Sequence, residues 1–108
     1  MIEKRKLERF NIYLDVIEQS TDNFIGITGN IHHEGMLLIS LLEFALFKDI
    51  PILLETSGAE GIECKIPLVI NGIWNQKKIN PVHTRCRIVE PSPEAIHEID
   101  KLIEEGAS

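Results

Sequence analysis

The chain has 108 residues and a formal net charge of −6, with 44% hydrophobic and 26% charged residues. Its length fits a single domain, for which ~100–200 residues is usual. Its composition is that of a globular protein rather than of a disordered or membrane-spanning one. The acidic balance argues against general nucleic-acid binding, which requires a broad basic surface, so we expect no DNA or RNA partner.

Alternation of apolar and polar residues predicts most of the secondary structure. Residues 10–18, FNIYLDVIE, place Leu14 and Val16 on one face and Asp15 on the other, as in a half-buried strand. The predicted strands, in chain order, are 10–18, 24–31, 36–40, 50–56, 62–74 and 82–90, with turns at 19–23 and 57–61 and a loop with apolar anchors at 41–49. Pro67 predicts an edge position or a bulge in the fifth strand.

The end of the chain changes from strand to helix pattern. Ser92, Pro93 and Glu94 supply an N-cap hydroxyl, a proline at the first helical position and an acid at the positive end of the helix dipole. Apolar residues then follow helical spacing at Ile96, Ile99, Leu102 and Ile103. One domain, 1–108, is therefore expected: a basic arm at 1–9, six strands at 10–90 forming a small antiparallel barrel or sandwich, and a C-terminal helix at 93–105.

Two cysteines, Cys64 and Cys86, lie in predicted strands. The chain has no Cys-x-x-Cys spacing, no charged-then-apolar leader and no apolar run of the ~20 residues that span a bilayer. We expect a cytoplasmic protein without membrane contact, with both thiols reduced, buried and inert. A disulfide between strands, or metal ligation, is the alternative.

The sequence offers little for catalysis. It lacks a Gly-x-Ser-x-Gly motif, a phosphate-binding glycine loop before a helix and an Asp-rich calcium loop. His32 and His33 are adjacent, so on a strand they would point to opposite faces and would not bind one metal together. We expect neither an enzyme nor a metal or cofactor.

Basic residues are concentrated at the N-terminus, where Lys4, Arg5, Lys6 and Arg9 fall within the first nine positions. A basic arm on an acidic body indicates a small, localised anionic partner. A solvated charged tail is the alternative interpretation.

The sequence contains two short motifs, Arg5-Lys6-Leu7-Glu8-Arg9 in the basic arm and NIHHEG at residues 30–35. The first matches the RxxxR signature of the PilZ domain family, and the second resembles that family's D/N-x-S-x-x-G signature. The order of the motifs, the EGMLLIS run, Trp74 near the end of the fifth strand and the ending VEPSPEAIHEIDKLI extend the resemblance over nearly the whole chain.

The resemblance implies a six-stranded PilZ-like β-barrel that receives the bacterial second messenger cyclic di-GMP and signals to a partner protein as its arm orders on the ligand. The residues that it assigns to the ligand are Arg5, Lys6, Arg9, Asn30, His32 and Gly35. Arginine suits this role because a guanidinium can bind a phosphate, or the O6 and N7 atoms of guanine, through two hydrogen bonds.

Two positions depart from the family pattern. His32 replaces the usual serine and could either bind a phosphate or block the pocket. Arg85 stands where a glycine is common, and could add a cation or fill space that the ligand needs. A ligand-free PilZ-like adaptor that acts through protein contacts is therefore the alternative, and a homodimeric module without ligand is a third. On these interpretations Arg5 and Arg9 are exposed charges, Asn30 and Gly35 are ordinary turn residues, and Trp74 packs in the core or at the barrel rim.

Overall fold

The structure, a computed structural model, describes residues 13–28, 30–56, 65–76 and 80–107. The predicted basic arm, with Arg5, Lys6 and Arg9, lies outside these ranges, as do Cys64 and the predicted turn at 57–61. The sequence predictions can therefore be compared with the structure from Tyr13 onward.

Six antiparallel strands form a closed barrel with one C-terminal helix, which confirms the predicted fold class. The elements are β1 (Leu14–Glu18), β2 (Asn23–Thr28), β3 (Gly35–Ser40), β4 (Asp49–Thr56), β5 (Lys65–Gln76), β6 (Val82–Ile88) and α1 (Pro93–Ala107). Around the barrel the strands follow the order β1-β2-β3-β6-β5-β4, and β4 closes the barrel by pairing with β1.

The core fills the interior of the barrel because alternate side chains of each strand point inward. In β6, Thr84, Cys86 and Ile88 are buried while Arg85 and Arg87 are exposed. The fully buried members of the core with the largest side chains are Leu38, Ile52, Leu54, Ile66, Ile70, Ile99 and Val16.

The helix begins as the sequence predicts. The Ser92 hydroxyl accepts a hydrogen bond from the backbone N–H of Ala95 at 3.1 Å, which satisfies one of the unpaired donors of the first turn. The buried face of the helix consists of Ala95, Ile99 and Leu102. It therefore begins at Ala95, whereas the sequence predicted Ile96 as its first residue.

The described part of the chain contains no helix that is long and apolar enough to cross a membrane.

The second strand is shorter than the predicted 24–31. It ends at Thr28, and Ile31 forms only an isolated bridge to Met36. The Thr28 hydroxyl donates to the carbonyl oxygen of Asn30 at 3.4 Å, a local side-chain contact that competes with continued strand pairing. The chain therefore leaves the sheet before the Asn30 motif, which becomes a turn.

β5 contains a proline, Pro67, and a bulge, and the two lie at different positions in the strand. Pro67 pairs with Leu53 of β4, and the pairing of β5 with β6 begins only at Ile70. Within the described residues Pro67 therefore occupies an edge-like position, where a missing N–H is tolerated. The bulge lies further along, at Ile73, between the pairs that Gly72 and Trp74 make with β6.

The 41–48 segment is a loop, as predicted, and a buried anchor holds it against the barrel. Phe44 is 7% exposed, whereas Leu41 is 80% exposed. The Asn75 side-chain amide donates to the carbonyl oxygen of Phe44 at 3.3 Å. Thr84, which is buried, donates in turn to the Asn75 side-chain oxygen at 3.4 Å. This chain of contacts fixes the loop relative to β5 and β6.

The barrel core predicts a sharp contrast between two leucines on neighbouring elements. Leu38→Ala should lower the free energy of unfolding by ~2–5 kcal/mol because it leaves a cavity at a fully buried position. Leu41→Ala removes the same atoms from an exposed side chain and should change the free energy of unfolding by less than about 0.5 kcal/mol. Chemical denaturation followed by circular dichroism measures both, and equal losses would contradict the described register of β3.

Candidate functional site

A polar pocket of about 450 Å³ lies where the 30–34 turn meets β3 and β6. The polar and glycine residues that line it are Asn30, His32, Glu34, Gly35, Arg85 and Arg87. Three residues that the sequence assigned to one ligand site, Asn30, His32 and Gly35, are therefore brought together. The other three, Arg5, Lys6 and Arg9, lie outside the described residues.

The backbone of the turn is tied to both neighbouring strands. The N–H of His32 donates to the carbonyl oxygen of Gly35 at 3.0 Å, which closes the turn. The N–H of Leu37 donates to the carbonyl oxygen of Asn30, and that of Ile88 donates to the carbonyl oxygen of Glu34. The turn is thus anchored to β3 and β6, so its side chains are presented from a rigid scaffold.

Gly35 permits the close approach of β3 to β6. A Cβ atom at this position would lie 2.8 Å from the carbonyl oxygen of Cys86, closer than real Cβ atoms come to a backbone atom. The structure therefore explains this glycine by the close approach of two backbone segments. The glycine is needed for strand packing whether or not a ligand binds.

Two arginines of β6 project from the outer face of the barrel beside this glycine. Arg87 is the register partner of Gly35, and Arg85 is the register partner of Leu37. Because side chains alternate along a strand, positions 85 and 87 share one face. Both arginines line the pocket, which therefore has two guanidinium groups from one strand along its wall.

The histidines of the turn have different contacts. His32 Nδ1 accepts a hydrogen bond from the backbone N–H of Glu34 at 3.3 Å, so in this tautomer Nε2 is left as the donor. His33 Nε2 contacts the Asp100 carboxylate of α1 instead. Only His32 lines the pocket. Among the residues that the structure describes, no group of three or more His, Cys, Asp and Glu side chains could hold a metal ion.

The bulge in β5 places two bulky side chains outside the barrel. Ile73, which lines the pocket, and Trp74 are consecutive, yet both are exposed, because a bulge interrupts the alternation. Trp74 is 50% exposed and is the register partner of Arg85. Of the two positions expected for Trp74, the core or the barrel rim, the core is therefore excluded. Trp74 lies on the outer face, where an aromatic ring beside a guanidinium can contribute to stacking.

The electrostatics of the pocket differ from those of the whole chain. Arg85 and Arg87 contribute two permanent positive charges, and Glu34 is the acidic side chain among the lining residues. An acidic protein of net charge −6 thus presents a local cationic surface. Such an arrangement suits a compact anion that accepts hydrogen bonds from guanidinium groups.

The sequence singled out Arg85 but missed Arg87, the bulge at Ile73 and Glu34. The signal for Arg87 was present, because VHTRCRIVE alternates strictly and puts residues 85 and 87 on the same face. For the bulge, Gly72 inside the fifth strand was a weaker signal, because a glycine within a strand often marks a bulge. The exact position of the bulge is a property of the pairing between β5 and β6, which a single strand pattern does not encode.

A second concave surface, which we call the β2 groove, lies on another part of the barrel. It is about 590 Å³ in volume and is bordered by β2, the end of β3 and the 41–44 segment. Its exposed apolar side chains include Phe24, Leu41 and Leu42. The groove shares no lining residue with the polar pocket.

Comparisons of this chain with protein-family models, with curated proteins and with solved structures found no significant match in any of the three. The functional interpretation therefore depends on the geometry of the pocket and on the sequence motifs.

Cys86 provides a chemical test of the barrel interior. Burial raises the pKa of the Cys86 thiol from 9.0 to about 12, so the thiol stays protonated at pH 8. Because the thiolate is the reactive form, a Cys64→Ser protein, in which Cys86 is the remaining thiol, should react negligibly with an aromatic disulfide reagent at pH 8 until denaturant is added. Rapid stoichiometric labelling of the folded protein would contradict the buried position of Cys86.

Proposed function

We propose that this chain is a PilZ-like receptor for cyclic di-GMP, which binds at the polar pocket. The observation that carries the proposal is the convergence of Asn30, His32 and Gly35 with Arg85 and Arg87 in one concave site. The motif residues come from a turn and the arginines from a strand about fifty positions later in the chain.

The chemistry of the ligand fits the side chains. Cyclic di-GMP carries two phosphodiester anions and two guanines. A guanidinium such as that of Arg85 can bind a phosphate, or the O6 and N7 atoms of a guanine, through paired hydrogen bonds. The Asn30 amide can meet another guanine edge, and His32 Nε2 is a donor for a phosphate oxygen. Trp74 adds an exposed aromatic ring beside Arg85.

The position at which the chain enters the barrel supports a contribution from the N-terminal arginines. Leu14, at the start of β1, is the register partner of Thr28, which is two residues before Asn30. Arg9 precedes Leu14 by five residues, and five residues span at most about 18 Å. A linker of this length can reach the Asn30 turn, so the attachment at Leu14 is compatible with the contribution of Arg9 that the RxxxR signature implies.

The alternative is a PilZ-like adaptor that acts through protein contacts alone. It is favoured by the bulk of His32 and Arg85, which occupy positions where the family has small residues. The apolar β2 groove is a second observation in its favour, since monomeric proteins rarely leave adjacent large apolar side chains exposed without a function.

Titration calorimetry with cyclic di-GMP distinguishes these two functions. We expect saturable binding at micromolar concentration or below by the full chain. Arg85→Ala should weaken it by ten- to a hundredfold, since a charge-assisted hydrogen bond contributes about 1.5–3 kcal/mol. Lys65→Ala is the matched control and should bind as the wild type does. Lys65 is an exposed cation on β5, eight residues before Ile73 and so about 26 Å away along the strand.

Arg9→Ala tests the contribution of the N-terminal arm separately. It should weaken binding of cyclic di-GMP by about the same factor as Arg85→Ala. Binding that is unchanged in Arg9→Ala but lost in Arg85→Ala would assign the ligand to the pocket without the arm. No heat with the wild-type protein would overturn the receptor proposal and favour the adaptor. Tighter binding by Arg85→Ala would mean that Arg85 obstructs the ligand.

A further inference from the structure

The two long sides of β2 are paired unequally. Along one side β2 pairs with β1 from Asn23 to Thr28. Along the other side its register partners in β3 are limited to Ser40, opposite Gly26, and Ile39, opposite Ile27. Within the described residues, the first three residues of β2, 23–25, therefore have no strand partner on this second side. They form an open strand edge at one end of the barrel.

The edge is open because β3 ends early and the chain turns away. The Ser40 hydroxyl donates to the carbonyl oxygen of Leu42 at 2.6 Å, which closes a tight turn directly after β3. Phe44 is then buried and its carbonyl oxygen is held by Asn75. The 41–44 segment is thus fixed as the far wall of the β2 groove, and the space between this wall and the open edge stays unfilled.

The open edge is short and carries a bulge at Ile25, where the register with β1 shifts between Val16 and Ile17, but its residues include no blocking charge or proline. Edge strands usually carry a lysine, a proline or an inward-pointing charge that blocks pairing with another chain. Residues 23–25 of this chain are Asn, Phe and Ile. The side chains beside them are apolar and exposed: Phe24 is 60% exposed, and Leu42, on the far wall, is 81% exposed. The Asn23 N–H donates to the Thr21 hydroxyl at 3.3 Å, so the backbone of this edge that is left for a strand partner is mainly that of Phe24 and Ile25, beside the exposed apolar side chains of the groove.

The charges at the groove identify the kind of partner. Glu18 lines the groove, and among the described lining residues there is no Lys, Arg or His. Glu18 accepts a hydrogen bond from the Thr21 hydroxyl, which leaves its negative charge in place. The chain as a whole has a net charge of −6. This field attracts a cationic partner, and it repels both an anionic membrane and a second copy of the acidic barrel.

We propose that the β2 groove binds an extended segment of a partner protein, one that alternates apolar with basic or polar residues, by strand addition to the open edge at residues 23–25. The backbone of the segment pairs with β2, its apolar side chains fill the groove between Phe24 and Leu42, and its basic side chains lie near Glu18. The proposal does not depend on cyclic di-GMP, since the groove and the polar pocket share no residue.

The probe is a labelled nine-residue peptide in which valine alternates with lysine and threonine. Its binding to the full chain is measured by fluorescence anisotropy in the absence of cyclic di-GMP. We expect saturable binding that weakens as salt is raised. A companion peptide with prolines in place of the central threonines should not bind, because proline lacks the N–H that pairing requires. A peptide with glutamate in place of lysine should bind more weakly.

Two variants locate the binding site. Leu42→Lys places a positive charge in the groove and should weaken binding of the valine–lysine peptide by about tenfold. Phe47→Lys is the matched control and should leave binding unchanged, because Phe47 is a 74% exposed residue of the same loop that does not line the groove. Since both side chains are exposed, both variants should retain the circular dichroism spectrum and unfolding midpoint of the wild type.

Three results would overturn the proposal. The first is no binding of the valine–lysine peptide at millimolar protein. The second is equal binding of the proline-containing peptide, which would exclude strand addition. The third is a stable dimer in sedimentation of the protein alone that Leu42→Lys dissociates, because the groove would then belong to a second copy of the chain.

Discussion

The candidate site depends on the pairing of β3 with β6, two strands that are about fifty residues apart in sequence. Gly35 makes this pairing close, because any side chain there would press against the carbonyl oxygen of Cys86. The pairing brings the Asn30 turn, which leads into β3, next to Arg85 and Arg87 of β6. A change that separated these two strands would open the barrel and would also separate the turn from the arginines.

Charge is distributed so that one acidic barrel offers two different surfaces. The polar pocket, with Arg85 and Arg87, adjoins the first residue of β3, whereas the β2 groove adjoins Ser40 at the other end of this strand. Along β3, Leu37 lines the pocket and Ile39 lines the groove, so the two surfaces are neighbours that share no residue. The pocket suits an anion and the groove suits a cationic, apolar segment. On the account proposed here, a small ligand and a partner protein can therefore occupy the barrel at the same time.

The sequence predicts the fold well because alternation and capping are local properties. Six strands, one helix with Ser92 as its cap and a 41–49 loop follow from period-two patterns and turn residues, and the structure confirms them. The position where β2 ends and the position of the bulge at Ile73 depend on contacts between distant segments, so local patterns alone do not locate them. For the site, Asn30, His32 and Gly35, which the sequence assigned to one ligand, all line the polar pocket. The sequence left the contribution of Arg85 undecided and did not mention Arg87, because strand order decides which residues of β6 lie beside the turn.

An amide NMR titration of the isotope-labelled full chain with cyclic di-GMP tests the central claim most directly, since it reports both binding and location. The account predicts saturable shifts at Asn30, His32 and Gly35 and along β6 at Arg85 and Arg87, with no change at the residues of the β2 groove. A spectrum that the ligand leaves unchanged, or shifts confined to residues outside the polar pocket, would contradict it.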